Sequence, residues 1–375
     1  MIGGGISGLV CAQQIKHLSD RTVDVILLEA SHRLGGQIYT QQHILENKDS
    51  VIVETGAEGF VFRSTIFPKI AKTVGLVDFV NQARIADKEL RQSGGKWTIH
   101  DLAPGVAAEK LGFQVPAADR GKGIRTFTGG MSRLVDSLAA QIDTTRMNAS
   151  VASLEVGSTS VRIGYTSNGT ASLISVDAAV LAAPMGEIRE ILSSSVLQPE
   201  EIPSDVLRNN HVSIHLLVPS QATTMLPSSF TVPESLQASL KGLRAMSFVN
   251  EKFPGRCSEG NWLFRFYFRP DVSVSLIDGK HWEDGARVVL ENVFGIKQFT
   301  WCHFAPWKQT LPILSADHLS RCAKFKHLIT ERSHGRVYVA GSDVSGAGLD
   351  VAATSGYEAA VNVLKRLGIV VHNSQ

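Results

Sequence analysis

Apolar positions along the chain change period several times, and each change marks an element. In ISGLVCAQQIKHL, Ile6, Leu9, Val10, Ile15 and Leu18 recur at helical spacing. After the polar break SDRT, VDVILLEA is a continuous apolar run ending at Glu29, the pattern of a strand buried on both faces in a parallel sheet. VIVETGAEGF gives a short strand and a turn through Gly56 and Gly59, and IFPKIAKTVGL a short helix closed by Gly75. From Ile85 to Thr126 the periodicity is lost (QSGGKW, APG, VPAADRGKG), which predicts loops with at most one short helix, GVAAEKLG. TFTGGMSRLVDSLAAQI is a Gly-Gly turn feeding an amphipathic helix on Leu134, Leu138 and Ile142. The stretch from ASVASLEV to VDAAVLAAP predicts a three-stranded antiparallel excursion that returns to the parallel sheet before Pro184.

Strand-length runs dominate between Asn209 and Phe304: HVSIHLLV, GLRAMSFV, NWLFRFYFR and FTWCHF, with one helix around Trp282 to Phe294. They predict an antiparallel sheet in a second domain. GRVYVAGSDVSGAGLDVAATSGYEAAVNVLKRLG closes the pattern as a buried strand, a glycine-rich turn and a helix stopped at Gly368.

The glycines ahead of the first helix, Gly3, Gly5 and Gly8, have the spacing G-x-G-x-x-G. Such a loop leaves a buried parallel strand and enters a helix whose N-terminus faces a pyrophosphate. Helix, second strand and an acid, Glu29, follow in register, which turns a weak motif into a dinucleotide-binding reading. The strand that should precede Gly3 is represented only by Met1 and Ile2. The chain is therefore expected to be cut or mis-started through that strand, leaving the backbone of both neighbouring strands unpaired. Arg33, Gly35 and Gly36 in SHRLGGQIYT place a cation and a close-approach backbone beside the pyrophosphate loop.

Composition narrows the class. Among 375 residues, 43% are hydrophobic and 19% charged, the balance of an ordinary globular chain. Lys+Arg of 37 against Asp+Glu of 35, without a basic cluster, gives no footprint for nucleic acid. Cys11, Cys257, Cys302 and Cys322 are far apart, which fits free thiols in a reducing, cytoplasmic setting. No apolar run approaches the ~18–20 residues of a transmembrane helix. His211 and His215 share a strand face but stand ~13 Å apart at 3.3 Å per residue, so packing or a polar edge is expected there and no metal site. Arg63, just past the Gly56 turn, and Lys252 are candidates to meet a substrate carboxylate, with a solvated surface position the competing reading for Lys252.

The motifs GGGISGL, LLEASHRLGGQIYT, ETGAEGF, TFTGGMSRLVDSLA and VYVAGSDVSGAGLDVAATSGYEAAVNVL, in this order, resemble the flavin-containing amine oxidase superfamily and, within it, the protoporphyrinogen oxidase family. PWKQTLP is also similar to that family. The resemblance implies an α/β fold: a Rossmann-like FAD-binding domain from residues 1–62, 123–205 and 330–368, and an α+β substrate domain on an antiparallel sheet from 63–122 and 206–329, with 369–375 as a tail. It implies that Gly3, Gly4, Gly5, Ile6, Ser7 and Gly8 wrap the FAD pyrophosphate. Glu29, with Ala30 beside it, would hold the adenosine ribose, and Arg33, Gly36 and Gln37 would line the phosphate side. Gly56 and Ala57 would pass beside the isoalloxazine, and Val151 would grip the adenine. Trp307 would stand near the flavin. Gly341 would belong to the same site, and Gly348 with Leu349 would turn a helix start toward the flavin O2 side. No cysteine lies near Gly346 for a covalent link, so FAD is expected to be non-covalent. No acid/base residue stands out.

Two departures qualify the resemblance. The family's helical, membrane-docking insertion is replaced by a short stretch between about Lys96 and Lys122, and HVSIHLLV lacks the lysine that many amine-oxidising relatives carry. The implied activity is hydride removal from a C–H beside nitrogen or a conjugated ring, with a protoporphyrinogen-like small-molecule substrate and dioxygen as acceptor. The alternatives are an amine oxidase or pyrroline-type desaturase on a small metabolite, a non-catalytic carrier on the same fold, and an inactive fragment.

Overall fold

Met1 and Ile2 lie at the centre of a parallel sheet in the computed structural model of the chain. It describes residues 1–369 and 371 apart from 84–85, 114, 193–196, 225–226, 271–275 and 277, and only the backbone of 79–83. Strand β1 (Ile26–Leu28) pairs with β9 (Thr144–Arg146), and β13 (Ala179–Leu181) with β19 (Val337–Val339), all in parallel register. Ile2 bridges Leu28 on one side and Leu181 on the other. Four backbone bonds of 2.7–2.9 Å seal the junction: Leu28 N to Met1 O, Gly3 N to Leu28 O, Ile2 N to Val180 O and Ala182 N to Ile2 O. The expectation of unpaired neighbours is corrected here. Those neighbours are three residues long, so Met1 to Gly3 suffice to pair them.

Alternation along these strands builds two cores. Leu27, Val180 and Tyr338 face α1 (Ile6–Leu18), α2 (Ile66–Thr73), α4 (Ser132–Ala139) and α11 (Leu349–Arg366). Leu28, Leu181, Val337 and Val339 face α5 (Met185–Ile191), α9 (Ala316–Arg332) and the antiparallel sheet β10 (Ala149–Val156), β11 (Val161–Ser167) and β12 (Thr170–Val176). The three-stranded excursion is thus present. The expected boundary at 329/330 falls inside α9, whose Cys322, Phe325 and Ile329 pack on the parallel sheet.

A seven-stranded sheet forms the other half, in the order β18 (Trp301–Pro312), β14 (Arg208–Pro219), β17 (Asn261–Phe268), β16 (Leu243–Phe248), β15 (Phe230–Thr231), β6 (Lys88–Ser93) and β7 (Lys96–Asp101). Its pairs are antiparallel except β15 with β6, which meet in parallel at Thr231 and Glu89. The β6–β7 hairpin corrects the expectation of loops before Thr126: KELRQS and KWTIHD pair across Gly94-Gly95, both at positive φ. Val212, Ile214, Leu216 and Val218 of β14 and Phe264, Phe266 and Phe268 of β17 point to one side, where α8 (Gly279–Phe294) closes a core with Trp282, Val289 and Leu290. Helices α3 (Val106–Lys110) and α6 (Glu234–Gln237) flank this sheet. The opposite, polar face of β14 turns toward the parallel half.

Smaller elements join the halves. β2 (Thr40–Ile44) and β3 (Ser50–Glu54) form a hairpin, and β4 (Phe60–Val61), β8 (Ile124–Phe127) and β5 (Phe79–Ala83) a short sheet. Helix α7 (Val249–Lys252) contributes Val249 to a small core with Val51, Val53, Leu217 and Leu263. Turn α10 (Ser342–Ser345) leads from β19 into α11. Among the described residues no helix is long and apolar enough to cross a membrane.

Candidate functional site

The glycine loop between the central strand and α1 divides its glycines by what surrounds them. A Cβ on Gly3 would lie 2.4 Å from Ala182 O, and one on Gly8 would lie 1.9 Å from Gly3 O. These two glycines serve the tight turn and the helix–strand contact. A Cβ on Gly5 would meet nothing within 4 Å, so this backbone is open to whatever the loop holds. Ile6 and Ser7 open α1 and are buried. Gly356 of α11 presses so closely on Ser7 that a Cβ there would lie 2.2 Å from Ser7 O, which sets the start of α1 against α11 two turns into that helix.

Glu29 ends β1 against this loop. Its carboxylate accepts from Gly4 N at 2.6 Å and Ser31 N at 2.8 Å. Ala149 N donates to Glu29 O and Asn148 N to Ser31 O, so β10, with half-buried Val151, begins beside the acid. Ala30 is exposed. Gly35 N donates to Gly4 O at 2.8 Å, and a Cβ on Gly36 would lie 3.2 Å from Gly5 Cα. Arg33 spends its donors on the Leu34, Gly36 and Ile38 carbonyls, and its guanidinium lies 4.4 Å from the Tyr39 ring centre and 5.5 Å from that of Trp307.

The turn after β3 is clasped from both halves. Thr55 N donates to Tyr39 O at 3.0 Å and Ala57 N to Gln37 O at 2.9 Å. From the large sheet, Trp307 Nε1 donates to Thr55 O at 2.7 Å and Arg265 to Gly56 O at 2.9 Å. A Cβ on Gly56 would lie 2.0 Å from Gln37 O and 3.1 Å from Trp307 Cζ2. The Gln37 side chain reaches across to Thr310 O. Gly36, Gln37, Gly56, Ala57 and Trp307 are thereby brought together. At the same carboxyl end of the parallel strands, Gly341 follows β19 and Gly348 caps α11 before Leu349; both have positive φ, and a Cβ on either would meet nothing within 4 Å.

Beside Trp307, the inner face of the large sheet carries His211 and His215, the strand pair noted in the sequence, together with Arg265, Tyr267 and His303, which spacing did not single out. His211 lies between Trp307 and Tyr267, ring planes 11° and 4° apart and centres 5.9 and 5.4 Å away. His211 Nδ1 meets Thr310 Oγ1 at 3.1 Å. One step along, His215 faces His303, which also contacts His43. Burial and the Arg265 charge push His211 down to about 4, and burial with His43 brings His303 to about 4; His215, fully buried beside Arg265, is lowered well below the ordinary value as well. All are neutral at pH 7. Among the described residues no group of three or more His, Cys, Asp or Glu could hold a metal, and the rings of the two strand histidines contact Tyr267, Trp307 and His303.

Under the Gly56 turn lies a buried ionic cluster. Glu58 pairs with Lys252 and, at 3.0 Å, with Arg265; Arg256 meets Glu54 at 3.3 Å. Burial opposes ionisation of Glu58, yet Lys252 and Arg265 hold its carboxyl down to about 2. Burial raises that of Glu54 despite Arg256. Lys252 is therefore a buried partner of Glu58, which corrects the solvated reading, because α7 lays it against β17 and the turn. Arg63 is the exposed one, paired with Asp119 at 3.2 Å. A signal for Arg265 existed: in NWLFRFYFR the phenylalanines alternate with Arg265 and Tyr267, so a charge shares the face opposite an aromatic core.

Loop, acid, parallel strands and flanking helices make this a Rossmann-like α/β protein of the dinucleotide-binding class. Residues 1–74 match NAD(P)-binding Rossmann-like domains, and residues 83–364 match flavin containing amine oxidoreductases. The chain belongs to the flavin containing amine oxidoreductase family, as its motifs indicated. It is 40% identical over 76 residues to coproporphyrinogen III oxidase of Staphylococcus aureus (20% of this chain, 15% of that protein). It is 29% identical over 150 residues to the Mycobacterium bovis protein of that name (38% and 27%), and 31% identical over 121 residues to L-amino-acid oxidase of Mus musculus (32% and 18%). The matched stretches thus span 15 to 27% of these relatives.

Among solved structures, one from Exiguobacterium sp. assigned as a protoporphyrinogen oxidase superposes with a TM-score of 0.74 at 14% identity over 98% of both chains. Cyclohexylamine oxidase of Brevibacterium oxydans gives 0.71 at 13%, again over 98% of both. A reduced UDP-galactopyranose mutase gives 0.71 at 13%, over 97% of this chain and 93% of that one. At such identities the likeness defines the fold, which oxidases and a mutase share, so the reaction has to be argued from the site.

Proposed function

We propose that the chain binds FAD non-covalently and works as an oxidase or desaturase on a porphyrinogen, with dioxygen as electron acceptor. The observation that carries the cofactor reading is the division of the glycines. Gly3, Gly8 and Gly56 are filled by the protein's own backbone, whereas Gly5, Gly341 and Gly348 leave open space at the ends of parallel strands and at two helix starts. Helix starts favour anionic groups, so α1 suits the pyrophosphate and α11 the flavin O2 side. Bound there, FAD supplies a two-electron acceptor for a hydride from a C–H beside nitrogen or a conjugated ring.

The chain's own residues hold and orient. Glu29 fixes the loop through Gly4 N and offers its carboxylate toward a ribose; Val151 lies on the strand that starts beside it. Arg33, Gly36 and Gln37 form the wall between loop and turn, and Trp307 braces Gly56 and Ala57. Cys322 supports a non-covalent cofactor. Its Sγ lies 3.6 Å from the Asp343 carbonyl, and burial pushes its thiol up to about 11, far from a thiolate nucleophile. The names of the coproporphyrinogen III oxidase relatives favour the porphyrinogen.

A second reading, a small cyclic amine or pyrroline-type substrate, is favoured by the brevity of the segment 96–122, whose one α-helix among the described residues is the five-residue α3. Purified chain loaded with FAD and acid-precipitated should leave its flavin in the supernatant. Loaded enzyme should then form fluorescent porphyrin from coproporphyrinogen III or protoporphyrinogen IX and release peroxide. Peroxide from cyclic amines alone selects the second reading. Absence of any flavin binding selects the carrier or fragment reading.

A further inference from the structure

We infer that Lys252 and Arg265, joined through Glu58 to the Gly56–Ala57 turn, set the redox preference of the cofactor held against that turn. The inference rests on the FAD reading above.

Three cations, Lys252, Arg256 and Arg265, meet two carboxylates, Glu54 and Glu58, in a cluster whose basic side chains are at most 8% exposed. The formal count leaves one positive charge in excess, and the burial that raises the Glu54 carboxyl can only enlarge it. Groups packed around the cluster do not cancel it: Thr126, Ser247, Phe253 and Tyr267 are uncharged partners of Arg256, Lys252 and Arg265. His211 and His215 are neutral and lie beside Arg265. Arg265 Nε and one terminal nitrogen of Arg256 are buried without a hydrogen-bond partner among the described residues. A buried charge lacking its counter-ion is costly, so the cluster is poised for an anion.

Arg265 aims that surplus, since its guanidinium donates both to Glu58 and to the Gly56 carbonyl. Hydride transfer to bound FAD brings two electrons and one proton, so the reduced form carries one more negative charge than the oxidised form. A buried positive surplus beside it therefore favours the reduced form. Lys252, Arg265 and Glu58 act as positioning residues, through the turn and through their field, and need not touch the substrate.

The test is the reduction potential of FAD-loaded protein, read by equilibration with a reference dye. Loading of the unsubstituted chain tests the cofactor reading separately, before any variant is made. Lys252→Met should weaken the preference for reduced FAD about tenfold, a potential lower by about 30 mV, and Lys252→Arg should restore it. Glu58→Gln enlarges the surplus and should move the potential upward, a sign that mere loosening of the turn would not produce. Shifts of the same sign in Lys252→Met and Glu58→Gln, or no shift in either, overturn the inference. Should Lys252→Met fail to fold, Glu58→Gln decides alone: an unchanged or lowered potential overturns it.

Discussion

Gly5 and Gly8 stand three residues apart in one loop, yet alanine at each should have opposite consequences. At Gly8 the new Cβ would lie 1.9 Å from Gly3 O, where ordinary contact is about 3.5 Å. Both groups are on the backbone, so strand and helix must separate, at about 1–3 kcal/mol or more. At Gly5, φ is −71° and ψ is 178°, values that alanine adopts freely, and no atom lies within 4 Å of the added methyl. A gain of about 0.4–1 kcal/mol from the stiffer unfolded chain is offset by a poorer helix cap. The cofactor-free protein should therefore change by less than about 1 kcal/mol. The methyl instead occupies the space that a pyrophosphate would use. With FAD at a hundredfold excess over its dissociation constant, binding adds about 2.7 kcal/mol. A tenfold loss of affinity reduces that to about 1.4 kcal/mol. Thermal unfolding with and without FAD separates the two variants. Gly5→Ala should lose about half of the FAD-induced rise and little basal stability, and Gly8→Ala should lose basal stability. If Gly5→Ala unfolds as early as Gly8→Ala without FAD, or keeps the full FAD-induced rise, the assignment of the loop is wrong.

Other expectations concern the neighbouring groups. Glu29→Ala removes a carboxylate that ties Gly4 N and is proposed to hold the ribose, so FAD titration should show affinity weaker by about 1.5–3 kcal/mol; an unchanged dissociation constant removes Glu29 from the site. Trp307→Phe deletes the donor to Thr55 O, leaving a buried carbonyl unsatisfied at about 1–3 kcal/mol, to be read as a lower urea midpoint. His211 and His303 sit at about 4 in the fold and near 6.5 when unfolded. The unfolded chain therefore binds more protons between these values. Stability should be complete above about pH 6.5 and fall toward pH 4, and His303→Gln should flatten that slope in unfolding scans across pH.

The parallel half was legible because its signals are local. A buried strand, a glycine loop, a helix and an acid follow within the first 29 residues, and each constrains the next. The β6–β7 hairpin was not read because KELRQS and KWTIHD are mostly polar strands at the end of the sheet, with β7 its edge. Their Gly-Gly junction, a two-residue hairpin loop, was the available clue. Lys252 was misplaced for another reason. Its partner Glu58 is 194 residues away in sequence, and Arg265 reaches Gly56 across 209. Nothing local distinguishes a lysine after a short helix from a solvated one until topology brings a carboxylate to it. The candidate cofactor residues could be proposed from motifs, whereas the His211 and Tyr267 row arises only when β14, β17 and β18 align.

The double clasp on the turn at Thr55–Ala57 has a bearing on how a cofactor would arrive and leave. The Thr55 and Ala57 amides and the Thr55 and Gly56 carbonyls are all occupied, two by the Gln37–Tyr39 segment and two by side chains of the large sheet. A segment held in this way cannot flap as a gate without breaking bonds to two separate layers at once. Room for movement would then have to come from elsewhere, and Gly5, Gly341 and Gly348 are backbone positions where an added Cβ would meet nothing within 4 Å. The dinucleotide would slide in lengthwise past the helix starts, its ring meeting a rigid stop at Gly56. Its dissociation rate would be governed by contacts along that path, and the turn would stay still while the cofactor came and went.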